Sequence, residues 1–266
     1  MTAAAERCLE GRVAIVTGAN SGIGRGIAEA FAREGAKVVV AGRRQVRNRE
    51  AVEAIVREGG DAIPVAADMT SEADVVALVA RTVETCGRLD ICVANAGGVP
   101  AASVPAIEDM DFADWRETLA LNLDAVFLLY REALRHMLPA RRGVLIGVSS
   151  AASIRSTGSA FHYSAAKAGV NALTMNLAEY LGPRGVRINT IVPGFIEAES
   201  TAPYLAVEKV RAGIERRIPM RRIGLPADVG ELAIFLASDR SSFITGQDFV
   251  IDGGQTRRMV SDAPAD

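Results

Sequence analysis

The 266-residue chain is poor in the side chains that make metal and disulfide chemistry. It has two histidines, His136 and His162, and three cysteines, Cys8, Cys86 and Cys92. With so few ligands, no structural zinc site is expected. An odd number of cysteines without a Cys-x-x-Cys pair fits a reducing, cytoplasmic setting and not a disulfide framework, and all three read as small core residues. Neither charge sign is in excess, with Lys+Arg 30 against Asp+Glu 32, so a nucleic-acid partner recognised through bulk basic charge is not expected. No apolar run approaches the ~18 residues of a membrane helix. Residues 1–12 have no apolar stretch after a basic start, so no signal peptide is expected. Internal repeats, low-complexity tracts and Pro/Ser-rich linkers are also missing from the sequence.

What is present is an ordinary globular mixture, 49% hydrophobic and 23% charged, in a chain long enough to bury roughly 75% of its unfolded surface. Residues 1–266 are read as one domain with short flexible tails, the last from about Arg257. Apolar, β-branched runs at 13–17 (VAIVT), 37–41 (KVVVA), 62–66 (AIPVA), 91–94 (ICVA), 144–148 (VLIGV) and 187–192 (RINTIV) predict strands buried on both faces, and 249–251 a seventh. Helical patterns fill the gaps: 22–34, 46–58, 71–86 with a cap at Thr70 or Ser71, a long one from about Phe112 to before Pro139, and another from about Tyr163 to before Pro183. Gly or Pro stands at each stop. This alternation predicts an α/β fold: one doubly wound parallel sheet of about seven strands, of Rossmann type, with helices on both faces and ligands at the carboxyl ends of the strands.

The first strand runs into Thr17-Gly18-Ala19-Asn20-Ser21-Gly22-Ile23-Gly24 and then a helix. Gly18 allows a tight exit. Gly22 and Gly24 remove side chains where a pyrophosphate approaches the backbone and the helix packs on the sheet, and the free N–H groups of the helix start favour an anion. The spacing is Gly-x-x-x-Gly-x-Gly, and no Gly-Lys-Ser/Thr follows, so it is not a Walker loop. The second strand ends in Gly42-Arg43-Arg44, where an acidic residue would bind ribose hydroxyls. Two guanidinium groups there suit a 2′-phosphate, so NADP(H) is expected over NAD(H). The competing reading makes the arginines, with Arg47 and Arg49, a solvated helix start. Asp68 and Met69 follow the third strand. Asp68 either accepts from an adenine amino group or caps the next helix.

Tyr163 and Lys167 lie four apart in a predicted helix and share a face. An ammonium ~5 Å from a phenol, at an effective dielectric of ~20, favours the phenolate by ~3 kcal/mol. That is roughly two pKa units, which would bring tyrosine toward the range of useful acid–base chemistry. Ser149 and Ser150 close the fifth strand, where a hydroxyl can hold a carbonyl oxygen or cap a turn. Gly147-Val148-Ser149-Ser150-Ala151 is one glycine short of a hydrolase nucleophile elbow. Neither histidine has the downstream place a serine hydrolase needs.

Taken together and in order, these segments resemble the short-chain dehydrogenases/reductases from Arg12 to Gly254. The resemblance rests on the glycine turn, Ala94-Asn95-Ala96-Gly97, Leu121-Asn122-Leu123, Ser150 with Tyr163-x-x-x-Lys167, Pro193-Gly194, Ile244-Thr245-Gly246-Gln247 and Val250-Ile251-Asp252-Gly253-Gly254. It implies Tyr163 as general acid/base. Lys167 would lower its pKa and bind the nicotinamide ribose, Ser150 would orient the substrate oxygen, and Asn122 would anchor a proton-relay water. Asn95, Ala96 and Gly97 would lie along the cofactor, Pro193-Gly194 beside the nicotinamide, and the Ile196 backbone at the carboxamide. The family's basic residue after the second strand matches Arg43. Ala198 stands where the family often has a cofactor-contacting Thr.

The resemblance also implies a homo-oligomer, dimeric or tetrameric. Ala125, Val126, Leu128, Leu129 and Ala133 suit either an interface or the core. Substrate choice falls to residues 98–111 and 197–218, which read as movable loops and whose composition suits an apolar pocket for a small-molecule carbonyl or secondary alcohol. Arg141 and Arg184 fall where 3-oxoacyl carrier-protein reductases dock an acidic acyl carrier protein. The competing readings are a catalytically silent NADP(H)-binding sensor or scaffold, against which the intact Ser150, Asn122, Tyr163 and Lys167 set argues, and a methyltransferase-like or epimerase-like nucleotide enzyme.

Overall fold

The computed structural model describes residues 7–99, 105–199 and 201–257. Seven strands form one sheet: β1 (Val13–Thr17), β2 (Lys37–Gly42), β3 (Asp61–Ala66), β4 (Ile91–Ala94), β5 (Gly143–Val148), β6 (Val186–Pro193) and β7 (Asp248–Ile251). Their order is β3-β2-β1-β4-β5-β6-β7, and every pairing is parallel. The chain moves outward from β1 in one direction and, from β4, in the other. The carboxyl ends of β1 and β4 therefore flank a crevice at the switch point, the place where open α/β sheets bind ligands.

Alternation along the strands sorts the core into two layers. Ala14 and Val16 face Ile27 and Phe31 of α1 (Gly22–Arg33), Ile55 of α2 (Gln45–Arg57) and Ile234 of α9 (Pro226–Ala237). Ile15, between them, faces the opposite layer with Leu78 of α3 (Glu72–Cys86), Leu129 of α5 (Ala125–Ala140) and Val170 of α6 (Phe161–Leu181). Ala125, Val126, Leu129 and Ala133 all lie in this layer. They are core, and the interface alternative does not hold for them. Among the described residues no helix is long and apolar enough to cross a membrane.

Three local features differ from the sequence expectation. The long helix after Phe112 is two helices, α4 (Phe112–Leu119) and α5, joined by a π-helical turn at Ala120–Asp124 that contains Asn122. The second passes Pro139 and ends at Ala140; a proline in the last turn forfeits a single backbone bond near the frayed end while buried Met137 anchors that turn in the core. Residues 197–218, expected as loop, contain two short helices, α7 (Ala202–Leu205) and α8 (Glu208–Arg217). The expected substrate loop at 98–111 includes 100–104, which lie outside the described residues, as does the tail beyond Arg257.

Candidate active site

The carboxyl ends of β1 and β4 are tied together before any ligand is considered. Thr17 Oγ1 accepts from the backbone N–H groups of Asn95 and Ala96, both at 3.0 Å, and Asn95 Nδ2 donates to Thr17 O at 2.8 Å. A methyl group at Gly24 would meet Asn95 Nδ2 at 2.3 Å and Gly18 O at 2.4 Å. Gly24 thus lets the first turn of α1 sit on this clamp, and it does not line the crevice. Gly18 and Gly22 carry φ of +64° and +52°, so the turn between β1 and α1 depends on left-handed backbone that glycine adopts without strain.

The result is a cleft of about 650 Å³ along the carboxyl edge of the sheet. One end is built from Gly18, Asn20, Ser21, Gly22 and Ile23, then Arg43 and Arg44, with Asp68 and Met69 beside them; the other end holds Tyr163 and Lys167, with Asn95, Ala96 and Gly97 between. All of these positions are among those the sequence marks as candidates. Ser150, Asn122, Pro193, Gly194 and Ile196 are adjacent to the cleft and not on its wall. Gly194 donates its N–H to Ile251 O and packs against Asp252, and Ile196 is buried against Gly224. Of the segment after β6, the cleft wall carries Ala198 and Glu199, toward the glycine turn and the arginines.

At the reactive end, Lys167 is 3% exposed and its Nζ donates to Val148 O at 2.9 Å. Burial without a carboxylate partner lowers its pKa to about 8. Nζ stands 5.6 Å from the centre of the Tyr163 ring. The Tyr163 phenol is hydrogen-bonded to Ser150, which pulls its pKa down, but burial dominates and the net shift is upward. This corrects the expectation of a phenol depressed by two units. Lys167 is buried and Tyr163 partly so, and the loss of water favours the neutral form of each. Ser150 Oγ also accepts from Ala152 N at 3.2 Å, so capping and a bond to tyrosine coexist. Ser149 is committed elsewhere, donating from Oγ to Lys167 O at 3.0 Å.

Asn122 is fully buried. Its Oδ1 accepts from Gly98 N at 2.9 Å, and its Nδ2 donates to Gly98 O at 2.9 Å and Thr118 O at 3.0 Å. Both amide hydrogens are therefore used to pin the segment after β4 to the π turn. The side chain keeps only an acceptor lone pair for a water.

At the other end, the buried Asn48 of α2 donates to Gly42 O at 2.8 Å and Val65 O at 3.0 Å, and accepts from Asn20 Nδ2 at 2.7 Å. A Cβ at Gly42 would stand 2.6 Å from Asn20 Nδ2 and 3.1 Å from Asn48 Oδ1. A side chain at the end of β2 would displace Asn20 from this network. Asp68 Oδ1 accepts from Thr70 N and Oγ1 at 2.9 and 2.8 Å, which lowers its pKa with help from the nearby Arg43 charge. Ser71, by accepting from Asp74 N, is the cap of α3.

Thr17, Asn48 and Glu199 were missed by sequence reasoning. Thr17 alone had a signal, as the residue before the first glycine of the turn. A family profile described as Enoyl-(Acyl carrier protein) reductase matches residues 18–256. A 3-oxoacyl-acyl-carrier-protein reductase FabG of Thermotoga maritima is 35% identical over 92% of this chain and 98% of the relative. The chain belongs to the short-chain dehydrogenase/reductase family. A cis-4-hydroxycyclohexanecarboxylate dehydrogenase of Sinomonas cyclohexanicum is 38% identical over 92% of this chain and 96% of its own. A solved structure from Beutenbergia cavernae, provisionally assigned as an NAD(P) dependent gluconate 5-dehydrogenase and holding NADP at low occupancy, superposes with a TM-score of 0.88, at 35% identity, covering 95% of this chain and all of that one. As a short-chain dehydrogenase/reductase the chain is an oxidoreductase of CH–OH and C=O groups and a nicotinamide-cofactor protein.

Arg141 and Arg184, the carrier-protein expectation, lie together. Arg141 donates to Pro183 O at 3.0 Å, and Arg184 stacks on Tyr180 at 3.9 Å. They stand at the amino ends of β5 and β6, opposite the cleft.

Proposed function

We propose that the chain reduces a ketone, or oxidises the matching secondary alcohol, with NADP(H), acting on a small apolar substrate. The observation that carries this reading is the single cleft whose one end is a glycine turn flanked by Arg43 and Arg44 and whose other end presents Tyr163 and Lys167. The cleft fits a dinucleotide: glycines where phosphates approach, two guanidinium groups beside a glycine at the end of β2, and a buried ammonium at the far end. Bound there, the nicotinamide supplies or accepts the hydride.

The side chains supply the rest. In reduction the phenol of Tyr163 protonates the carbonyl oxygen as the carbon receives hydride, giving an alcohol and a phenolate. The upward pKa shift keeps the phenol protonated at neutral pH, the form a general acid needs. Lys167, still mostly cationic below about 8, stabilises the phenolate that forms. Ser150 holds the phenol in place and shares the substrate oxygen. Asn122 keeps the strand-β4 exit fixed against Lys167. Asn20, Ser21 and Ile23 would hold the pyrophosphate, Asp68 and Met69 the adenine, and Pro193, Gly194 and Ile196 would back the nicotinamide.

A homo-oligomer is proposed with this activity, supported by Phe127 and Met175 standing exposed on α5 and α6. So is a cytoplasmic location, supported by the reduced cysteines. The deciding experiment follows NADPH and NADH absorbance with a panel of ketones. Turnover preferring NADPH is expected; tight cofactor binding without turnover on any ketone or alcohol would overturn the enzyme reading in favour of a sensor.

A further inference from the structure

Glu199 is the one acidic side chain of the cleft wall that reaches Arg44. Its two carboxylate oxygens each accept from Arg47 Nη1 at 2.8 Å, and Oε2 stands 3.7 Å from Arg44 Nη2. The residue comes from the far side of the cleft, from the segment after β6, and crosses to the start of α2. That crossing is built. Thr201 Oγ1 accepts from Ala198 N at 2.8 Å and lies 3.0 Å from Ala198 O, and Glu197 N donates to Gly224 O at 2.8 Å. Ala198 itself lies over the glycine turn, its Cβ 3.1 Å from where a side chain at Gly22 would begin. The carboxylate is therefore carried to the arginines by a backbone seated on the phosphate-binding turn.

The chemistry of this position is that of an anion on the arginines expected to read an anion. A 2′-phosphate brings up to two charges and three acceptor oxygens. Glu199 brings one charge and two oxygens. It is 50% exposed and its partners 53% and 42%, so the ion pair is weak and a phosphate can displace it. Whether it is displaced or stays near, it opposes the phosphate, by holding Arg44 or by repulsion. A cofactor without the 2′-phosphate makes no demand on Arg44 and does not feel this opposition.

We propose that Glu199 is a cofactor-specificity residue, an internal competitor for the 2′-phosphate that narrows the preference for NADP(H) over NAD(H). The proposal rests on the NADP(H) reading above. It also gives the Ala198-Glu199 segment a role that the missing family threonine does not supply.

The test is fluorescence titration of the purified full chain and its Glu199→Gln variant with NADPH and with NADH, at low and high salt. The expected result is NADPH bound roughly two- to five-fold more tightly by the variant, the range of an exposed ion pair, with NADH affinity unchanged. The gain should shrink at high salt, because exposed charges are screened. A wild-type chain that prefers NADPH, with the same NADPH/NADH ratio or a lower one in the variant, overturns the competitor role and leaves the cofactor reading standing. A wild-type chain that binds NADH as tightly as NADPH, with no gain in NADPH affinity in the variant, overturns both.

Discussion

Replacing Gly97 with alanine tests the reactive end of the cleft with one methyl group. The added Cβ would lie 2.6 Å from Asn122 Oδ1 and 3.1 Å from Lys167 Nζ. Gly97 is not in the left-handed region, so the effect is steric. Lys167 can yield, being the end of a flexible chain. Asn122 cannot yield cheaply, because its amide is held by Gly98 N, Gly98 O and Thr118 O. Overpacking of this kind costs ~1–3 kcal/mol, and a lost amide hydrogen bond about 1 kcal/mol more. For a chain of this size that lowers Tm by roughly 5–10 °C. The same shift moves the Gly97–Gly98 backbone and Lys167 by several tenths of an ångström, and misplacement near 1 Å costs on the order of a hundredfold in rate. Thermal melting without cofactor gives the first number, and steady-state ketone reduction gives the second. A Gly97→Ala chain with wild-type Tm and wild-type kcat would refute the claim that Asn122 and Lys167 are packed against this glycine.

Three further outcomes are expected. Tyr163→Phe should lower kcat at least ~100-fold with NADPH affinity nearly unchanged, since it removes a proton donor and not a binding contact; retained turnover would remove Tyr163 from the chemistry. The reduction rate, as kcat/KM, should be level at neutral pH and fall above about 8, where Lys167 loses its proton and the cation beside the phenolate is gone; a plateau that continues well above that pH would show that the ammonium is not required. Changing Arg43 and Arg44 together to alanine should weaken NADPH roughly 10–100-fold, the loss of one charge-assisted contact or more, and leave NADH almost untouched; equal losses for both cofactors would place the arginines outside phosphate recognition.

Much of the fold is legible in the sequence because a parallel strand covered on both faces is a continuous apolar run. Runs such as VAIVT at β1 and ICVA at β4 cannot be solvated loops, and Gly or Pro marks the ends of the helices between them. The π turn at Ala120–Asp124 is not legible, since the local residues suit an unbroken helix. What breaks it is the pairing of Asn122 with Gly98, 24 residues earlier. Residues 197–218 read as a movable loop, and the helices they hold are seated by long-range contacts such as Leu205 with Ile218 and Ile223.

Sequence alone determined which chemical groups this chain carries and their order: a glycine turn after the first strand, paired arginines after the second, a Tyr-x-x-x-Lys helix face near the fifth. Those assignments depend on side-chain identity and on the period of a helix or strand, which are local properties. Tertiary structure decided the electrostatics and the partners. It buried Lys167 and partly buried Tyr163, which moved the phenol up, not down; it spent Ser149 and the Asn122 amide on the scaffold; and it brought Glu199 to Arg44 and Arg47 from about 150 residues away. Burial and long-range pairing depend on how layers meet in space, and a linear pattern carries no record of that meeting.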